Sequence, residues 1–331
     1  MRLNMNKNIL IIGNGSGGHF YPSIVVANEL KNENEIFYIV AKDRLDEKII
    51  SKSEFNYLSL PYVGLNNNKI LFLNNQLKNI IKICKYIKEN NIDLVIGFGG
   101  GLSFSSLIAS KFCGCKSICH EQNAIFGRAN NLLKHIINMY VSHRCLENKN
   151  VKFVGNPIVR NYKCKIVEIY DIIIVFGSQG SSTLNKIFLE YFKKYKLNYK
   201  VLFVCKDYNQ TEDKFLTIKS YVENLSDYFY NTRLVFTRGG ATTLAELSKT
   251  NSKICIIPSP YVINDHQTKN ALEFKKEYGA SIIKEKDLNI DLIDNEIRKN
   301  LNSFIHYNDR KKVEHEDYLK LFIKEIKNEL Q

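Results

Sequence analysis

The chain has 331 residues, of which 44% are hydrophobic and 24% are charged, and its formal net charge is +13. This length favours two domains over one, and the composition excludes a disordered chain. The excess of positive charge favours an anionic partner, whereas the lack of a clustered basic tract or a nucleic-acid-binding motif argues against nucleic acid.

Neither export nor a metal site is expected from the sequence. The N-terminal apolar run Ile9–Ile12 is too short for a signal peptide, and no stretch reaches the roughly 18 apolar residues of a membrane-spanning helix. Cys113, Cys115 and Cys119 lack the paired spacing of a zinc site, so we expect reduced cysteines. The protein should therefore be cytosolic or lie on a membrane surface.

The chain opens with a predicted strand, a glycine turn and a helix. The strand Ile9–Ile12 runs into GNGSGGHFYP at 13–22, and a helix is predicted over Tyr21–Lys31. Glycines at such a turn let backbone N–H groups approach a phosphate. The spacing resembles a dinucleotide fingerprint, but no acidic residue ends a second strand as a ribose ligand.

A long amphipathic helix is predicted next, over Leu71–Glu89. Two interpretations remain open for it: packing against its own domain, as most amphipathic helices do, or contact with an anionic lipid surface. Its apolar face is predicted to hold Leu73, Leu77, Ile80, Ile81 and Ile87, with Lys78, Lys82, Lys85 and Lys88 around it.

Two more strand-and-turn units complete the first half. The strand Asp93–Ile96 leads into IGFGGG and the helix Ser105–Phe112, and the strand Lys116–Cys119 leads into HEQN at 120–123. Four adjacent polar side chains are costly to bury without partners, so HEQN predicts a polar site floor, the alternative being a solvated loop. A strand at Val151–Val154 should end this half, with a hinge at 155–157.

The second half repeats the same pattern. It contains the predicted strand Asp171–Val175 with the turn GSQG and the helix Ser182–Lys194, then Arg233–Phe236 with TRGG and a helix over Thr242–Ser248. A further strand over Ile254–Pro258 precedes DHQ at 265–267 and a helix that ends near Gly279. Asn264 or Asp265 is a candidate N-cap for that helix.

Aliphatic strands that alternate with helices predict an α/β fold with doubly wound parallel sheets. We expect two Rossmann-like domains, residues 1–157 and 158–310, that face each other across a cleft. The glycine turns at the carboxyl ends of the strands should line this cleft. A charged amphipathic helix at about 311–331 should pack back on the first domain through Leu319, Phe322, Ile323, Ile326 and Leu330.

The motifs GNGSGGHFYP, IGFGGG, HEQN, VGNP, GSQGSSTLN, TRGGATTLAEL and DHQTKNA occur in this order. Together they resemble the peptidoglycan N-acetylglucosaminyltransferase (MurG) family, whose fold is GT-B. The resemblance implies transfer of N-acetylglucosamine from UDP-N-acetylglucosamine to the C4 hydroxyl of the muramyl sugar of lipid I, an undecaprenyl-diphosphate-linked muramyl pentapeptide. It further implies inversion at the anomeric carbon, a role in cell wall synthesis, cell shape and division, and a peripheral location on the cytoplasmic face of the inner membrane. Gly101 departs from the family, which usually has an aromatic residue there.

The resemblance also implies roles for individual residues. Glu246 would bind the ribose, Gln267 the sugar hydroxyls, and Val222 would lie near the uracil. The acceptor side would use Ser16, Gly17, Gly18 and Asn123. Arg160 matches an arginine after the GNP turn, a possible donor to the diphosphate. The remaining donor-side positions are Ser178, Gln179, Ala241, Thr242, Thr243, Leu244 and Ala245.

His19 is the first candidate for the general base, because free histidine titrates near the operating pH, and Glu121 is the second. The alternative for His19 is a structural ring that bonds a backbone carbonyl. No Asp-x-Asp metal motif is evident, so we expect no cofactor and no obligatory metal. Two rival functions remain at this stage: a UDP-N-acetylglucosamine 2-epimerase and a non-catalytic nucleotide-sugar-binding protein.

Overall fold

A computed structural model describes residues 6–14, 17–64, 68–158, 168–177, 180–196, 198–206, 208, 211–212, 214–222, 224–301 and 317–331. The chain divides into two compact units, residues 1–159 with 317–331, and residues 160–316. The predicted domain limits fall beside undescribed residues and stay a prediction. Within the described part of the chain, no helix combines the length and the apolar character that crossing a bilayer requires.

The first unit contains seven strands and six helices among its described residues. The strands are β1 (Asn8–Ile12), β2 (Glu35–Ala41), β3 (Asn56–Leu60), β4 (Leu94–Gly97), β5 (Lys116–Glu121), β6 (Asn138–Val141) and β7 (Val151–Phe153). The helices are α1 (Gly17–Leu30), α2 (Leu45–Ile50), α3 (Lys69–Glu89), α4 (Gly101–Phe112), α5 (Arg128–Leu133) and, at the chain's end, α11 (Tyr318–Leu330).

The second unit supplies the remaining elements. Its strands are β8 (Ile172–Val175), β9 (Val201–Val204), β10 (Thr211–Glu212), β11 (Leu216–Lys219), β12 (Leu234–Thr237), β13 (Lys253–Ile256) and β14 (Ser281–Ile282). Its helices are α6 (Ser182–Lys194), α7 (Ser226–Phe229), α8 (Ala241–Leu247), α9 (His266–Tyr278) and α10 (Ile290–Leu301).

Both sheets are doubly wound. The first has the order β3-β2-β1-β4-β5-β6-β7 and is parallel throughout. The second has the order β10-β11-β9-β8-β12-β13-β14, and only its edge strand β10 is antiparallel. The strand order reverses between β1 and β4 in one sheet and between β8 and β12 in the other. Ligands bind at such switch points, beyond the carboxyl ends of the strands.

Each sheet is buried on both faces, which explains its continuous aliphatic strands. In β1, Ile9 and Ile11 belong to the core on one face, and Leu10 and Ile12 to the core on the other. The helix α11 joins the first of these cores through Leu319, Phe322, Ile323 and Ile326. The end of the chain therefore forms part of the first unit.

The sequence analysis was wrong about the end of β5. The polar stretch HEQN does not simply follow β5, because His120 and Glu121 are its last two residues and are buried. The apolar stripe predicted on α3 is buried only in part, which leaves both interpretations of this helix open. Ile87 is buried, whereas Leu77 and Ile81 are 59% and 71% exposed. The buried face of α3 includes the polar side chains Gln76 and Asn79, which a search for apolar residues at helical spacing passes over.

Candidate active site

His19 lies in the first turn of α1, at the switch point of the first sheet. Its ring packs against Gly99 in the turn after β4, where φ is +103°. A Cβ at Gly99 would lie 2.9 Å from the ring carbon Cε1 of His19, and one at Gly13 would lie 2.6 Å from the His19 carbonyl oxygen. Glycine is therefore required at both positions by close packing around His19.

Asn14 is buried in the same place and neither of its amide atoms has a hydrogen-bond partner. A Cβ at Gly100, the N-cap of α4, would collide with the Asn14 backbone and side-chain oxygens. The N-termini of α1 and α4 thus come close to one buried, unpaired amide. Helix N-termini and an unpaired buried amide suit an anionic or hydroxyl-bearing ligand.

The His19 ring is the first member of a hydrogen-bonded chain. Its Nδ1 is 2.9 Å from Oε1 of Gln122, and the Gln122 Nε2 is 3.0 Å from Nδ1 of His120. At the far end, His120 Nε2 is 2.9 Å from the carbonyl oxygen of Gly155. Burial lowers the pKa of His120 to about 4, so this ring is neutral at neutral pH.

Glu121 is only 1% exposed and follows His120 in β5, so the two side chains leave opposite faces of the sheet. One of its carboxylate oxygens accepts from the backbone N and the side-chain Nδ2 of Asn123, and the other accepts from Gly127 N and Asn130 Nδ2, at 2.8–3.1 Å. Four donors satisfy a carboxylate and order the loop after β5. The geometry therefore favours His19 over Glu121 as the base.

The structure explains why Gly101 stands where the family usually has an aromatic residue. A Cβ at this position would lie 2.5 Å from the ring of Tyr62, which follows β3. The guanidinium of Arg44 lies 5.0 Å from the centre of the same ring. An aromatic residue from the segment after β3 thus occupies the space beside the start of α4.

In the second unit, Arg238 ties together the elements around the β8–β12 switch point. Its Nη1 donates to Glu285 Oε2 at 2.6 Å and to the Ile257 carbonyl oxygen at 3.1 Å, and its Nη2 donates to Ser181 Oγ at 2.9 Å. Ser181 is the N-cap of α6 and accepts from Leu184 N. The glycine turn that begins at Gly177 is therefore joined through its helix cap to the turn after β12.

The start of α9 packs against the turn before α8. A Cβ at Gly239 would collide with the backbone of Gln267, and Asn270 Nδ2 donates to the Gly239 carbonyl oxygen at 2.9 Å. The side chain of Gln267 accepts from Ser259 N at 2.9 Å. These contacts hold TRGG and DHQ together at one edge of the second sheet.

Glu246 lies on α8 among partly buried residues. Burial raises the pKa of its carboxyl group to about 7. A carboxylic acid with such a displaced pKa beside a glycine turn is typical of a ligand-binding group. Leu244 was also a predicted donor-side position, but its side chain lies in the core of the second unit. Its backbone N–H donates to the Gly240 carbonyl oxygen.

Comparison with known proteins identifies the family. The glycosyltransferase family 28 N-terminal domain matches residues 9–140, and the C-terminal domain of that family matches residues 172–328. A UDP-N-acetylglucosamine--N-acetylmuramyl-(pentapeptide) pyrophosphoryl-undecaprenol N-acetylglucosamine transferase from Thermosipho melanesiensis is 30% identical over 97% of this chain and 98% of its own length. The protein of the same name from Thermoanaerobacter sp. is 31% identical over 84% of this chain and 86% of its own length. The chain belongs to the MurG family.

The MurG family membership makes the chain a glycosyltransferase, as predicted. The solved structure of Acinetobacter baumannii MurG has a TM-score of 0.73 at 21% identity, with 88% of this chain and 90% of that chain covered. That likeness and the two doubly wound sheets confirm the predicted GT-B fold class. The epimerase alternative finds no support in these comparisons.

The structure brings some of the predicted MurG-family positions together. Gly17, Gly18 and His19 form the first turn of α1, and Asn123 bonds to Glu121 at the end of β5. Ala241, Thr242, Thr243, Ala245 and Glu246 lie on α8, and Val222 packs partly buried against the same core as Leu244. Ser16, Arg160, Ser178 and Gln179 lie outside the described residues.

Sequence reasoning gave no individual role to Asn14, Gln122, Arg238 or Asn270. Each is a polar side chain inside a motif that was noticed for its glycines or its charge. For Asn14, Gln122 and Arg238 the signal was an amide or a guanidinium just after a predicted strand end, where a buried polar group needs a partner. Which partner each one has depends on the turn that lies opposite, and the sequence does not contain that information.

Proposed function

We propose that this chain transfers N-acetylglucosamine from UDP-N-acetylglucosamine to the C4 hydroxyl of the muramyl sugar of lipid I, forming lipid II. The observation that carries the proposal is the match over 97% of the chain to a relative whose name states this transfer. The reaction belongs to peptidoglycan synthesis and therefore to cell wall biogenesis, cell shape and cell division.

The second unit binds the sugar nucleotide in this proposal. Glu246 accepts hydrogen bonds from the two ribose hydroxyls, and Gln267 contacts the hydroxyls of the sugar. Ser178 and Gln179 lie near the diphosphate, and Val222 lies near the uracil. The position of α8 beside the β8–β12 switch point supports these roles, as does the displaced pKa of Glu246.

The first unit binds the acceptor. Ser16, Gly17 and Gly18 contact an anionic group of the acceptor, and Asn123 contacts the acceptor beside the ordered loop after β5. Arg160 is a donor to a diphosphate. The unpaired amide of Asn14 and the adjoining starts of α1 and α4 support an anion-binding role for this edge of the sheet.

His19 is the general base of the proposed transfer. Its ring nitrogen takes the proton of the C4 hydroxyl while that oxygen bonds to the anomeric carbon. The bond from the anomeric carbon to the diphosphate breaks, and UDP leaves with the electron pair, which inverts the anomeric centre. Departure of UDP is assisted by hydrogen-bond donors rather than by proton transfer.

The outer face of α3 is the proposed contact with the cytoplasmic surface of the inner membrane. Leu73, Leu77 and Ile81 are 58–71% exposed along it, although large apolar residues are normally buried. Exposed lysines lie on the same helix and favour anionic lipid. They are Lys69, Lys78, Lys82, Lys85 and Lys88.

The proposed function is tested by transfer from UDP-N-acetylglucosamine to a lipid I analogue, with His19→Ala as the key variant. We expect kcat to fall by roughly 100- to 10,000-fold, the usual contribution of a general base. The affinity for UDP should not change, because the nucleotide binds to the second unit. Steady-state kinetics and calorimetry measure the two effects.

The matched control is His135→Ala, which removes an exposed histidine from the same unit and should leave kcat unchanged. A wild-type chain without lipid-dependent release of UDP would overturn the proposed function. A His19→Ala variant within a few-fold of wild type would instead overturn only the assignment of the base.

A further inference from the structure

Gln122 connects the two histidines of the first unit through its side-chain amide. The amide has one acceptor, Oε1, and one donor group, Nε2. Oε1 lies 2.9 Å from His19 Nδ1, and Nε2 lies 3.0 Å from His120 Nδ1 and 3.1 Å from the His120 carbonyl oxygen. The direction of the amide therefore decides which nitrogen of each ring carries a proton.

The orientation of the Gln122 amide is set at the other end of this series of hydrogen bonds, by the carbonyl oxygen of Gly155. This oxygen can only accept, so His120 must carry its proton on Nε2 and present a lone pair on Nδ1. The lone pair then requires Nε2 of Gln122 as its donor. The reversed amide would also place two oxygens, Gln122 Oε1 and the His120 carbonyl oxygen, against each other.

We propose that Gln122 is a positioning residue that holds His19 in the tautomer protonated on Nδ1. The opposite nitrogen, Nε2, then carries the lone pair that takes the proton of the acceptor hydroxyl. The role of this lone pair rests on the proposed function, whereas the tautomer itself follows from the three hydrogen bonds. An amide fixes the ring without placing a negative charge beside it, unlike the carboxylate that orients histidine in many hydrolases.

The groups that face His19 bring no charge into contact with its ring among the described residues. The turn after β4 contributes Gly99, which has no side chain, and the end of β5 contributes the neutral Gln122. The titratable groups carried by α1 and β5 include Tyr21 and Glu29 on α1 and His120 and Glu121 on β5, besides His19 itself and the thiol of Cys119.

The support for this chain of bonds comes from three parts of the fold. His120 packs between Phe98 and Phe322, with ring centres 5.6 and 4.9 Å from its own. Gly155 has φ of +72°, and any Cβ there would collide with Tyr318 at the start of α11. The Gly155 carbonyl group, which orients the hydrogen-bonded side chains of His120, Gln122 and His19, is thus held in place by α11.

The first experiment reads the tautomer directly in the wild-type, full-length chain labelled with 15N-histidine. Two-bond nitrogen–proton correlations distinguish the two neutral tautomers and need no substrate. We expect His19, assigned by its absence from the His19→Ala spectrum, to carry its proton on Nδ1. Protonation on Nε2 as the main neutral form would overturn the proposal, even if the chain transfers sugar as proposed.

The second experiment replaces the amide with a carboxylate, Gln122→Glu, and measures kcat/KM against pH. A carboxylate beside an imidazole favours the charged ring, so the acid limb of the profile should move up by about 1 pH unit. Gln122→Ala should lower kcat roughly 10- to 100-fold with little change in KM for UDP-N-acetylglucosamine, because the ring loses its orientation but the nucleotide site is intact.

The control for Gln122→Glu is Asn131→Asp, which adds the same charge at an exposed position on α5 and should leave the profile unchanged. An acid limb at the wild-type position in a folded Gln122→Glu chain, with UDP affinity retained, would overturn the proposal. If wild type shows no transfer at all, the proposed function fails while the tautomer measurement still decides the role of Gln122.

Discussion

At the scale of single residues, Glu246 shows how burial changes the protonation of a carboxyl group. Its carboxyl group has a pKa of about 7 instead of the ordinary 4.5, because the partly apolar surroundings disfavour the charge. The folded chain therefore keeps a proton that the unfolded chain releases, so this residue lowers stability as the pH rises from about 4.5 to 7. When UDP binds, hydrogen bonds from two ribose hydroxyls would replace the water that burial removes from the Glu246 carboxylate.

UDP affinity should accordingly depend on pH through Glu246. The carboxylate accepts two hydroxyl hydrogen bonds and the protonated acid does not, so affinity should be constant above about pH 7 and fall below it. Glu246→Gln should bind UDP at least about 10-fold more weakly and lose this dependence. Calorimetry across the pH range is the measurement.

Glu190→Gln is the control, since it removes an exposed carboxylate from α6 in the same unit. The pH dependence of the affinity of Glu190→Gln for UDP should match that of the wild-type chain. A Glu246→Gln chain that keeps both the wild-type affinity and the fall below pH 7 would rule out the ribose assignment.

At the scale of elements, α11 completes the first unit from the other end of the sequence. Phe322 is fully buried, and its ring centre lies 4.9 Å from that of His120 and 5.5 Å from that of Tyr140. The buried helix face is the apolar stripe that the sequence predicted for this segment. This packing places a large aromatic side chain directly behind the hydrogen-bonded histidines.

Phe322→Ala should lower the free energy of unfolding of the first unit by about 3–5 kcal/mol, because it leaves a cavity beneath His120. Urea unfolding followed by circular dichroism and tyrosine fluorescence would measure the change. Phe112→Ala is the matched control, since Phe112 is 76% exposed in the same unit. Equal unfolding midpoints for Phe322→Ala and wild type would contradict the role given to α11.

At the scale of the whole molecule, the net charge of +13 is spread along the chain and acts together with one apolar surface. In the proposed membrane contact, the exposed apolar patch among lysines on α3 would combine hydrophobic insertion with attraction to anionic headgroups. Neither contribution alone holds a protein firmly on a membrane. Their sum should weaken as the ionic strength rises.

The double variant Leu77→Glu/Ile81→Glu should reduce binding to vesicles of phosphatidylglycerol and phosphatidylethanolamine by 10-fold or more, since it puts two charges into the apolar surface. Co-sedimentation at low and high salt would measure this. Leu272→Glu, at a 55% exposed position of the second unit, is the control and should bind as wild type does. Unchanged sedimentation of the double variant would exclude α3 as the membrane contact.

The predicted elements with the clearest pattern agree with the structure. The helix α6 has the predicted bounds Ser182–Lys194, and each glycine turn lies between a buried strand and a helix. Periodicity and glycine placement are local properties, so they can be read along the chain. The sequence left the burial of α3 open because its buried face includes amide side chains, and only the neighbouring α4 and the loop after β3 make that burial favourable.

The sequence by itself determined the two α/β halves, the glycine turns at the strand ends and the family to which the chain belongs. Only the tertiary structure decided which polar side chains meet: Glu121 with four donors, Arg238 with Ser181 and Glu285, and His19 with Gln122. The reason is physical. A hydrogen bond depends on distance and direction between atoms far apart in sequence, and those are fixed only when sheets and helices pack.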